Sequence, residues 1–347
     1  MSLIDRLHSM LQRHPKRIVF PEGSDPRIIQ AARQLATRRL GAPILLGDRA
    51  EIKQRAQRLD IRLDGIRILE HERSDDMELF LPMVEAHPKL GGLTKAEQEK
   101  LLLNRHNFAA LMLYSGSADA LVAGATMSAS SGLRSLFRLV PLIDGVKSAS
   151  SMLILDQENP NFGMGGLLFL SDCGVIPEPT TEQLADIALT TAHTAYHLTD
   201  ETPRVAFLSY ATNTSKPSHP SILKIREAVK LTKERAKDLD YPIEIDGEFQ
   251  LDAALSPTVA EQKGIADSPV AGRANVIIFP DLNSGNIASK MIQLVAGART
   301  YGQIISGLSH PCAEISRGAH VYDIFGTAVI VASQAVDRRL LHPKPAE

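Results

Sequence analysis

The sequence contains few cysteines and few aromatic residues. Two cysteines, Cys173 and Cys312, occur among 347 residues, which excludes a disulfide framework. Tryptophan is absent and aromatic residues make up 5% of the chain, so a surface that stacks single-stranded nucleic acid or sugars is not expected. Positive and negative charges are nearly balanced, since the chain has 38 Lys and Arg residues and 40 Asp and Glu residues. The net charge of −2 therefore provides no basic field for nucleic acid.

Long apolar runs are also missing. No segment reaches the ~18 continuous apolar residues that a membrane span needs. The N-terminus has apolar residues at Leu3, Ile4, Leu7, Met10 and Leu11, the spacing of an amphipathic helix rather than the apolar core of a signal peptide. Hydrophobic residues make up 44% of the chain, which is typical of a globular protein. The length of 347 residues corresponds to about two domains. We expect a cytoplasmic enzyme that acts on small molecules.

Short β-branched runs alternate with helical patterns along most of the chain. Predicted strands cover residues 17–20, 43–46, 66–69, 120–123, 151–155, 167–170, 205–209, 243–245, 276–279, 303–305 and 329–331. Predicted helices cover residues 25–39, 95–114, 181–198, 220–238 and 285–298. Thr180 and Gln183 have the spacing of a capping box. This alternation predicts an α/β fold with mainly parallel sheets between helices.

One loop after a predicted strand has the composition of an anion site. In open α/β sheets, ligands bind where strands end and helices begin. Residues 126–134 follow such a strand and offer the hydroxyls of Ser128, Ser130 and Ser131, with Arg134 about one helical turn further on. An alternative is a Ser-capped helix start with a solvated arginine, and the spacing does not decide between the two.

A second loop carries groups suited to acyl transfer. Ser316 and Arg317 precede Gly318, and Asp323 lies about two turns further on if the segment is helical. A hydroxyl, a guanidinium and a carboxylate together supply an oxyanion donor, a phosphate ligand and a base. Alternatively, Asp323 is an ordinary N-cap for a helix over residues 324–336.

Other polar patterns have simpler explanations. Asp281 and its neighbours in residues 279–286 favour turn and cap chemistry over a ligand site. His193 and His197 have the spacing of a metal pair but no third ligand, and are interpreted as partly exposed helix residues. Cys312, with His320 as a base, would fit an acylated nucleophile, but a small apolar role is more usual for a lone cysteine.

Many collinear segments are similar to those of one enzyme family, phosphate acetyltransferase (phosphotransacetylase). These segments are residues 20–27 (Phe-Pro-Glu-Gly-Ser-Asp-Pro-Arg), 119–125, 130–134, 150–152, 172–179, 182–188, 203–210, 245–254, 268–287 and 316–318 (Ser-Arg-Gly). Together they cover nearly the whole chain. No single short motif would be as specific as this set.

The resemblance implies a fold, a domain division and a reaction. The fold is two α/β domains of the isocitrate/isopropylmalate dehydrogenase type, with the active-site cleft between them. The first domain would comprise residues 1–149 plus 303–347, and the second, residues 150–302, would form a homodimer. The implied reaction is acetyl phosphate + CoA ⇌ acetyl-CoA + phosphate, with CoA as a substrate, no permanently bound cofactor and no metal.

The resemblance also implies roles for individual residues. Asp323 would deprotonate the CoA thiol, Ser316 would stabilise the oxyanion, and Arg317 and Arg134 would bind phosphate and substrate. Residues 128–131, with Ser128, Ser130 and Ser131, would form the phosphate-binding loop. The binding site for the adenine end of CoA is not assigned.

Three departures from the family pattern affect these roles, one of them Thr214, which stands where the family usually has glycine in a turn and lies outside the residues that the structure describes. An arginine usual near residues 84–92 is missing or replaced by Lys89, and an Asn-Asp pair is replaced by Ala313 and Glu314. Acyl specificity is therefore left open, with propanoyl or butanoyl phosphate as alternative substrates. A non-catalytic acetyl-CoA-sensing module is a further alternative, disfavoured because Ser316, Arg317 and Asp323 are present. A related dehydrogenase would need an aspartate cluster that the sequence lacks.

Overall fold

The chain divides into two compact α/β units. The computed structural model describes residues 3–144, 146–157, 159, 162–213 and 219–341, without the side chains of residues 129 and 130. The first unit comprises residues up to Pro141 together with Leu308–Leu341, and the second is Leu142–Gly307. The C-terminal segment thus groups with the N-terminal one, and residues 303–307 group with the second unit.

The first unit contains a fully parallel sheet. Its strands, numbered in chain order, are β1 (Lys16–Phe20), β2 (Gly41–Leu46), β3 (Arg67–Leu69), β4 (Ala120–Ala123) and β11 (Cys312–Glu314). Their spatial order is β3-β2-β1-β4-β11, and each neighbouring pair is parallel. Its helices are α1 (Leu3–Arg13), α2 (Pro26–Thr37), α3 (Arg49–Arg58), α4 (Asp76–Ala86), α5 (Lys95–Leu102), α6 (Arg105–Tyr114), α7 (Ala129–Leu139) and α13 (Val321–Val336).

The second unit contains a mixed sheet. Its strands are β5 (Ser150–Asp156), β6 (Leu167–Ser171), β7 (Arg204–Leu208), β8 (Glu244–Phe249), β9 (Val276–Ile278) and β10 (Arg299–Ser306). They follow the order β10-β5-β6-β9-β7-β8, antiparallel from β10 to β6 and parallel from β6 to β8. Its helices are α8 (Thr181–Thr199), α9 (Pro220–Arg235), α10 (Leu251–Leu255), α11 (Pro257–Gln262) and α12 (Leu282–Leu294). The α/β class predicted from the sequence is confirmed.

Helix starts follow the local chemistry of the sequence. The side chain of Thr180 accepts a hydrogen bond from the Gln183 amide at 3.3 Å, and Gln183 Oε1 accepts one from the Thr180 amide at 2.9 Å, so the predicted capping box is present. The N-terminal amphipathic helix also forms, as α1 buries its leucines and Ile4. None of the described helices is long and apolar enough to cross a lipid bilayer.

Two predicted elements differ in the structure, and one short strand was not predicted. Residues 329–331 are not a strand but lie within α13, which is apolar on almost all sides and packs against α1, α2, β1 and β4. A helix buried on all sides has the same short apolar runs as a buried strand. Residues 95–114 form two helices, because Asn104 accepts hydrogen bonds from the His106 and Asn107 amides and starts α6. The three-residue strand β11 was not predicted.

Candidate active site

The candidate site residues of both loops lie at one edge of the first unit's sheet. Strands β1, β4 and β11 are neighbours and parallel, so the loops that follow them leave the sheet on the same side. Ser128–Ser131 and Arg134 follow β4, whereas Ser316, Arg317 and Asp323 follow β11. The sheet order therefore brings together two loops that are separated by almost 200 residues of sequence.

The loop after β4 begins at a position that requires glycine. Gly124 has a φ of 109°, and a Cβ there would lie 2.2 Å from the carbonyl oxygen of Ile315, which follows β11. Helix α7 then begins after Ser128, whose Oγ is 2.9 Å from Ser131 Oγ. Ser131 is half-buried and Arg134 is exposed, while the side chain of Ser130 lies outside the described part of the chain.

The loop after β11 is a turn rather than a helix. Ser316 Oγ accepts a hydrogen bond from the Gly318 amide at 3.3 Å, and helix α13 begins only at Val321. The segment from Ser316 to Asp323 is therefore not one helix, and the two residues are not related by two helical turns. Asp323 is also not the N-cap: it lies in the first turn of α13, and its Oδ2 accepts a hydrogen bond from the His320 amide at 2.9 Å.

A single arginine, to which the sequence analysis gave no role, joins the two loops. Arg27 Nη2 donates to the carbonyl oxygen of Ala125 at 2.8 Å, and its Nη1 donates to those of Arg317 at 2.5 Å and Ala319 at 3.1 Å. Asp25 holds this guanidinium with bonds of 3.1 and 2.9 Å. Burial opposes ionisation of Asp25, but the contacts with Arg27 lower the pKa of that carboxyl below its usual value. The only sequence signal for Arg27 was its place in the matching segment 20–27.

Lys89, the residue that stands near the missing family arginine, contacts the C-terminal end of α7. Its Nζ donates to the carbonyl oxygen of Phe137 at 2.8 Å, in the last turn of α7. Ser128 is at the opposite end of the same helix. In this structure Lys89 therefore stabilises the C-terminal end of α7, where a cation is favourable.

The other polar candidates have structural roles in the described residues. Asp281 accepts a hydrogen bond from the Ser284 amide at 2.9 Å and caps α12. His193 is buried rather than partly exposed, 4.3 Å from the ring of His197, and no group of three possible metal ligands occurs among the described side chains. Cys312 is fully buried, and burial, followed by the charge of Glu314, raises the pKa of its thiol, which disfavours a nucleophilic role.

Comparisons with known proteins identify the family of the chain. Residues 2–332 match the family described as Phosphate acetyl/butaryl transferase. Phosphate acetyltransferase of Treponema pallidum is 37% identical over 341 residues, which is 97% of this chain and all of that protein. Phosphate acetyltransferase of Thermoanaerobacterium thermosaccharolyticum is 38% identical over 96% of this chain and all of that protein. The crystal structure of a phosphotransacetylase from Streptococcus pyogenes superimposes with a TM-score of 0.85 at 32% identity, over 97% of this chain and all of that one.

The fold and these similarities define an acyltransferase. The chain belongs to the phosphate acetyl/butaryl transferase family. The family and the enzyme class predicted from the sequence are confirmed.

Proposed function

We propose that the chain transfers acetyl groups reversibly between acetyl phosphate and CoA. The observation that carries this proposal is the similarity to two phosphate acetyltransferases over almost the full length, in a chain that retains Ser316, Arg317 and Asp323. The substrates are small anions, held by arginine side chains and by backbone amides at the start of α7. The enzyme acts in the cytoplasm, binds no nucleic acid and uses CoA as a substrate rather than as a bound cofactor.

The proposed mechanism starts at Asp323. A thiol with a pKa near ~8.5 is a weak nucleophile at neutral pH until a base takes its proton. Asp323 takes that proton, and the sulfur attacks the carbonyl carbon of acetyl phosphate, so that a C–S bond forms and charge collects on the carbonyl oxygen. Ser316 donates a hydrogen bond to this oxyanion. The C–O bond to phosphate then breaks, and the phosphate takes up the proton and leaves as HPO₄²⁻.

The arginines and the serine loop bind the phosphoryl group in this proposal. Arg317 is exposed in the loop after β11, and Arg134 is exposed in the second turn of α7. Planar guanidinium groups suit phosphate because they donate two parallel hydrogen bonds. Ser128, Ser130 and Ser131 complete the phosphate-binding loop. Arg27 holds the backbone of the two loops that carry Arg317 and the serine side chains, and it does not itself bind substrate.

The second unit is proposed to form a homodimer through α12. Four apolar side chains of this helix and of the residue after it are exposed by 60%, 59%, 80% and 81%: Ile287, Met291, Leu294 and Val295. Their spacing places them on one face of the helix. An apolar stripe of this kind on a single chain is typical of a protein interface. A second copy of the same chain would cover it.

A thioester assay tests the proposed function. Purified protein is mixed with CoA and, separately, with acetyl, propanoyl and butanoyl phosphate, and thioester formation is followed by absorbance. We expect the highest kcat/KM with acetyl phosphate. A higher value for a longer acyl phosphate would instead identify a propanoyl- or butanoyltransferase. No turnover with any acyl phosphate, together with measurable acetyl-CoA binding, would support the sensing module.

A further inference from the structure

Two buried carboxyl groups lie on either side of the loop that follows β4. Glu22, after β1, is 1% exposed and Glu314, at the end of β11, is 4% exposed. Glu22 accepts hydrogen bonds from the amides of Gly124 at 3.1 Å and Thr126 at 3.2 Å. The carboxyl of Glu314 lies against the same loop and the first turns of α7, because a Cβ built on Gly132 would be 2.5 Å from its Oε2. Both groups therefore lie directly beneath the proposed phosphate-binding loop.

The two carboxyl groups differ in their partners. Besides the two amides, Glu22 has the ring of His106, whose Nε2 is 3.3 Å from its Oε1. Neither carboxyl oxygen of Glu314 has a hydrogen-bond partner among the described residues. A buried charge without a partner is strongly unfavourable, whereas a neutral carboxylic acid is tolerated. The surroundings therefore favour the protonated form of Glu314.

The charges around the two groups have opposite effects on their ionisation. Burial, followed by the negative charge of Glu22, raises the pKa of Glu314 to about 8. Burial also opposes ionisation of Glu22, but His106 and the loop amides lower the pKa of that group below its usual value. At neutral pH the pair thus holds one negative charge, on Glu22, and one proton, on Glu314.

The elements around Glu314 carry few other titratable groups. Strand β11 packs against β4, α7 and α13. Strand β4 has no titratable residue. The other titratable side chains are Arg134 and Arg138 on α7, Tyr322 and Asp323 on α13, and Cys312 on β11 itself. Both arginines are exposed, and the thiol of Cys312 is held neutral by burial. None of these groups compensates a charge on Glu314 from within the protein.

The position of Glu314 has a consequence for anions at the start of α7. The first amides of a helix have no partners within it, and together with the helix dipole they attract negative charge. A neutral Glu314 adds no negative charge that would weaken this attraction. An ionised Glu314 would place a negative charge against Gly132, which is one turn from Ser128.

We propose that Glu314 is a positioning residue that couples a proton to phosphate binding: the phosphate group binds tightly only while Glu314 is a neutral acid, so binding takes up a proton wherever this carboxyl is ionised in the free protein. This inference rests on the proposed function, which places the phosphate at the Ser128–Ser131 loop. It deepens that function, because it assigns a proton to the binding of the phosphate group.

Calorimetry with sulfate tests the coupling. Sulfate is a tetrahedral dianion whose charge is constant between pH 7 and 9.5, so any pH dependence belongs to the protein. Titrations near pH 8.5 in two buffers of different ionisation enthalpy give the number of protons taken up on binding. We expect a substantial fraction of one proton, and a sulfate Kd that rises about tenfold between pH 7 and 9.5, within the usual range of coupling between two sites.

Two variants make the test specific to Glu314. Glu314→Gln keeps the shape but cannot ionise, so it should bind sulfate without proton uptake and with a Kd independent of pH. Glu99→Gln, an exposed glutamate of α5, is the matched control and should behave like the wild type. If Glu314→Gln does not fold, the proton count of the wild type still decides, because a count of zero would overturn the proposal.

The outcomes separate this inference from the proposed function. Proton uptake that persists in Glu314→Gln, or a wild type that does not bind sulfate at pH 7, would overturn the inference. Neither result bears on acetyl transfer, which the thioester assay measures directly. Conversely, a chain without transferase activity that still takes up a proton with sulfate would retain the coupling and lose the proposed function.

Discussion

The Nη1 atom of Arg27 lies 2.5 Å from the carbonyl oxygen of Arg317, 290 residues further along the chain. This contact joins the start of α2 to the turn after β11, and the same guanidinium also holds the loop after β4. The two loops that carry the candidate catalytic and phosphate-binding side chains are thus fixed to each other by one side chain. The relative placement of Ser316 and the serine loop follows from this arrangement.

Replacing Arg27 should therefore lower activity without removing a substrate contact. Lysine cannot make the five hydrogen bonds that connect Arg27 to Asp25 and to three carbonyl oxygens. We expect Arg27→Lys to lower kcat by about 10²-fold, because small displacements of reacting groups have effects of that size. Steady-state kinetics measure this change, and circular dichroism checks the fold.

Arg33→Lys is the matched control for Arg27. Arg33 lies on the same helix, and its guanidinium donates to the carbonyl oxygens of Arg62 and Asp64 at 3.0 and 2.9 Å, not to the loops after β4 and β11. Its replacement should leave kcat within about twofold of the wild type. Equal losses of kcat in the two variants would show that the loss comes from a disturbance of helix α2 and not from a broken connection between the two loops.

The roles proposed for Asp323 and Ser316 predict large losses of activity. Asp323→Asn removes the base, and Ser316→Ala removes the donor to the oxyanion. Each should lower kcat by on the order of 10²-fold or more, the usual effect of losing such a group. Rates are compared with saturating CoA and acetyl phosphate. Wild-type rates in both variants would reject the site assignment.

Cys312→Ala distinguishes the base mechanism from an acyl-cysteine intermediate. The thiol is fully buried and lies on β11, two residues before Glu314. We expect nearly unchanged kcat, with a modest loss of stability from the smaller side chain. An inactive variant that still folds and binds CoA would instead support a covalent route through Cys312.

Much of the fold could be predicted because it depends on local patterns. Alternating strands and helices identified the class, and the strand 120–123 was predicted with its observed limits. The errors occurred where a local pattern is ambiguous or absent. Residues 329–331 are apolar and β-branched, as in a strand, but α13 packs against helices α1 and α2 and strands β1, β4 and β11, and this long-range packing favours the helix. Strand β11 has three residues and forms because β4 offers it an edge.

The site could be predicted only in part, for the same reason. Ser316, Arg317 and Asp323 were identified because hydroxyl, guanidinium and carboxylate groups occur close together in sequence. Arg27 was not, because its role depends on carbonyl oxygens 98 to 292 residues away. Glu314 was noticed only as a departure from the family pattern. Nothing in the residues around it indicates that its carboxyl is buried against Gly132.

The protonation of Glu314 predicts how stability depends on pH. In the folded protein this carboxyl keeps its proton up to about pH 8, whereas in the unfolded chain it loses it near its ordinary pKa of 4.5. Between these values the folded state binds more protons, so the free energy of unfolding falls as pH rises. From pH 6 to pH 8 this group should lower the free energy of unfolding by about 2 kcal/mol, since each pH unit contributes ~1.4 kcal/mol.

Denaturant titrations of the wild type and Glu314→Gln at pH 6, 7 and 8 measure this contribution. Other groups also titrate in this range, so the relevant quantity is the difference between the two proteins. That difference should increase with pH in favour of Glu314→Gln, while Glu99→Gln should track the wild type. Parallel curves for the wild type and Glu314→Gln would contradict a buried protonated Glu314.

The apolar stripe of α12 predicts the oligomeric state. If a second copy covers Ile287, Met291, Leu294 and Val295, a single charge in the stripe should prevent association, because it would be buried without a partner. We expect the wild type to have the mass of a dimer by light scattering after gel filtration, and Leu294→Glu to have the mass of a monomer. Leu223→Glu, which replaces a 47% exposed leucine on α9, is the matched control and should remain dimeric. A dimer that survives Leu294→Glu would place the interface elsewhere, and a monomeric wild type would exclude the proposed homodimer.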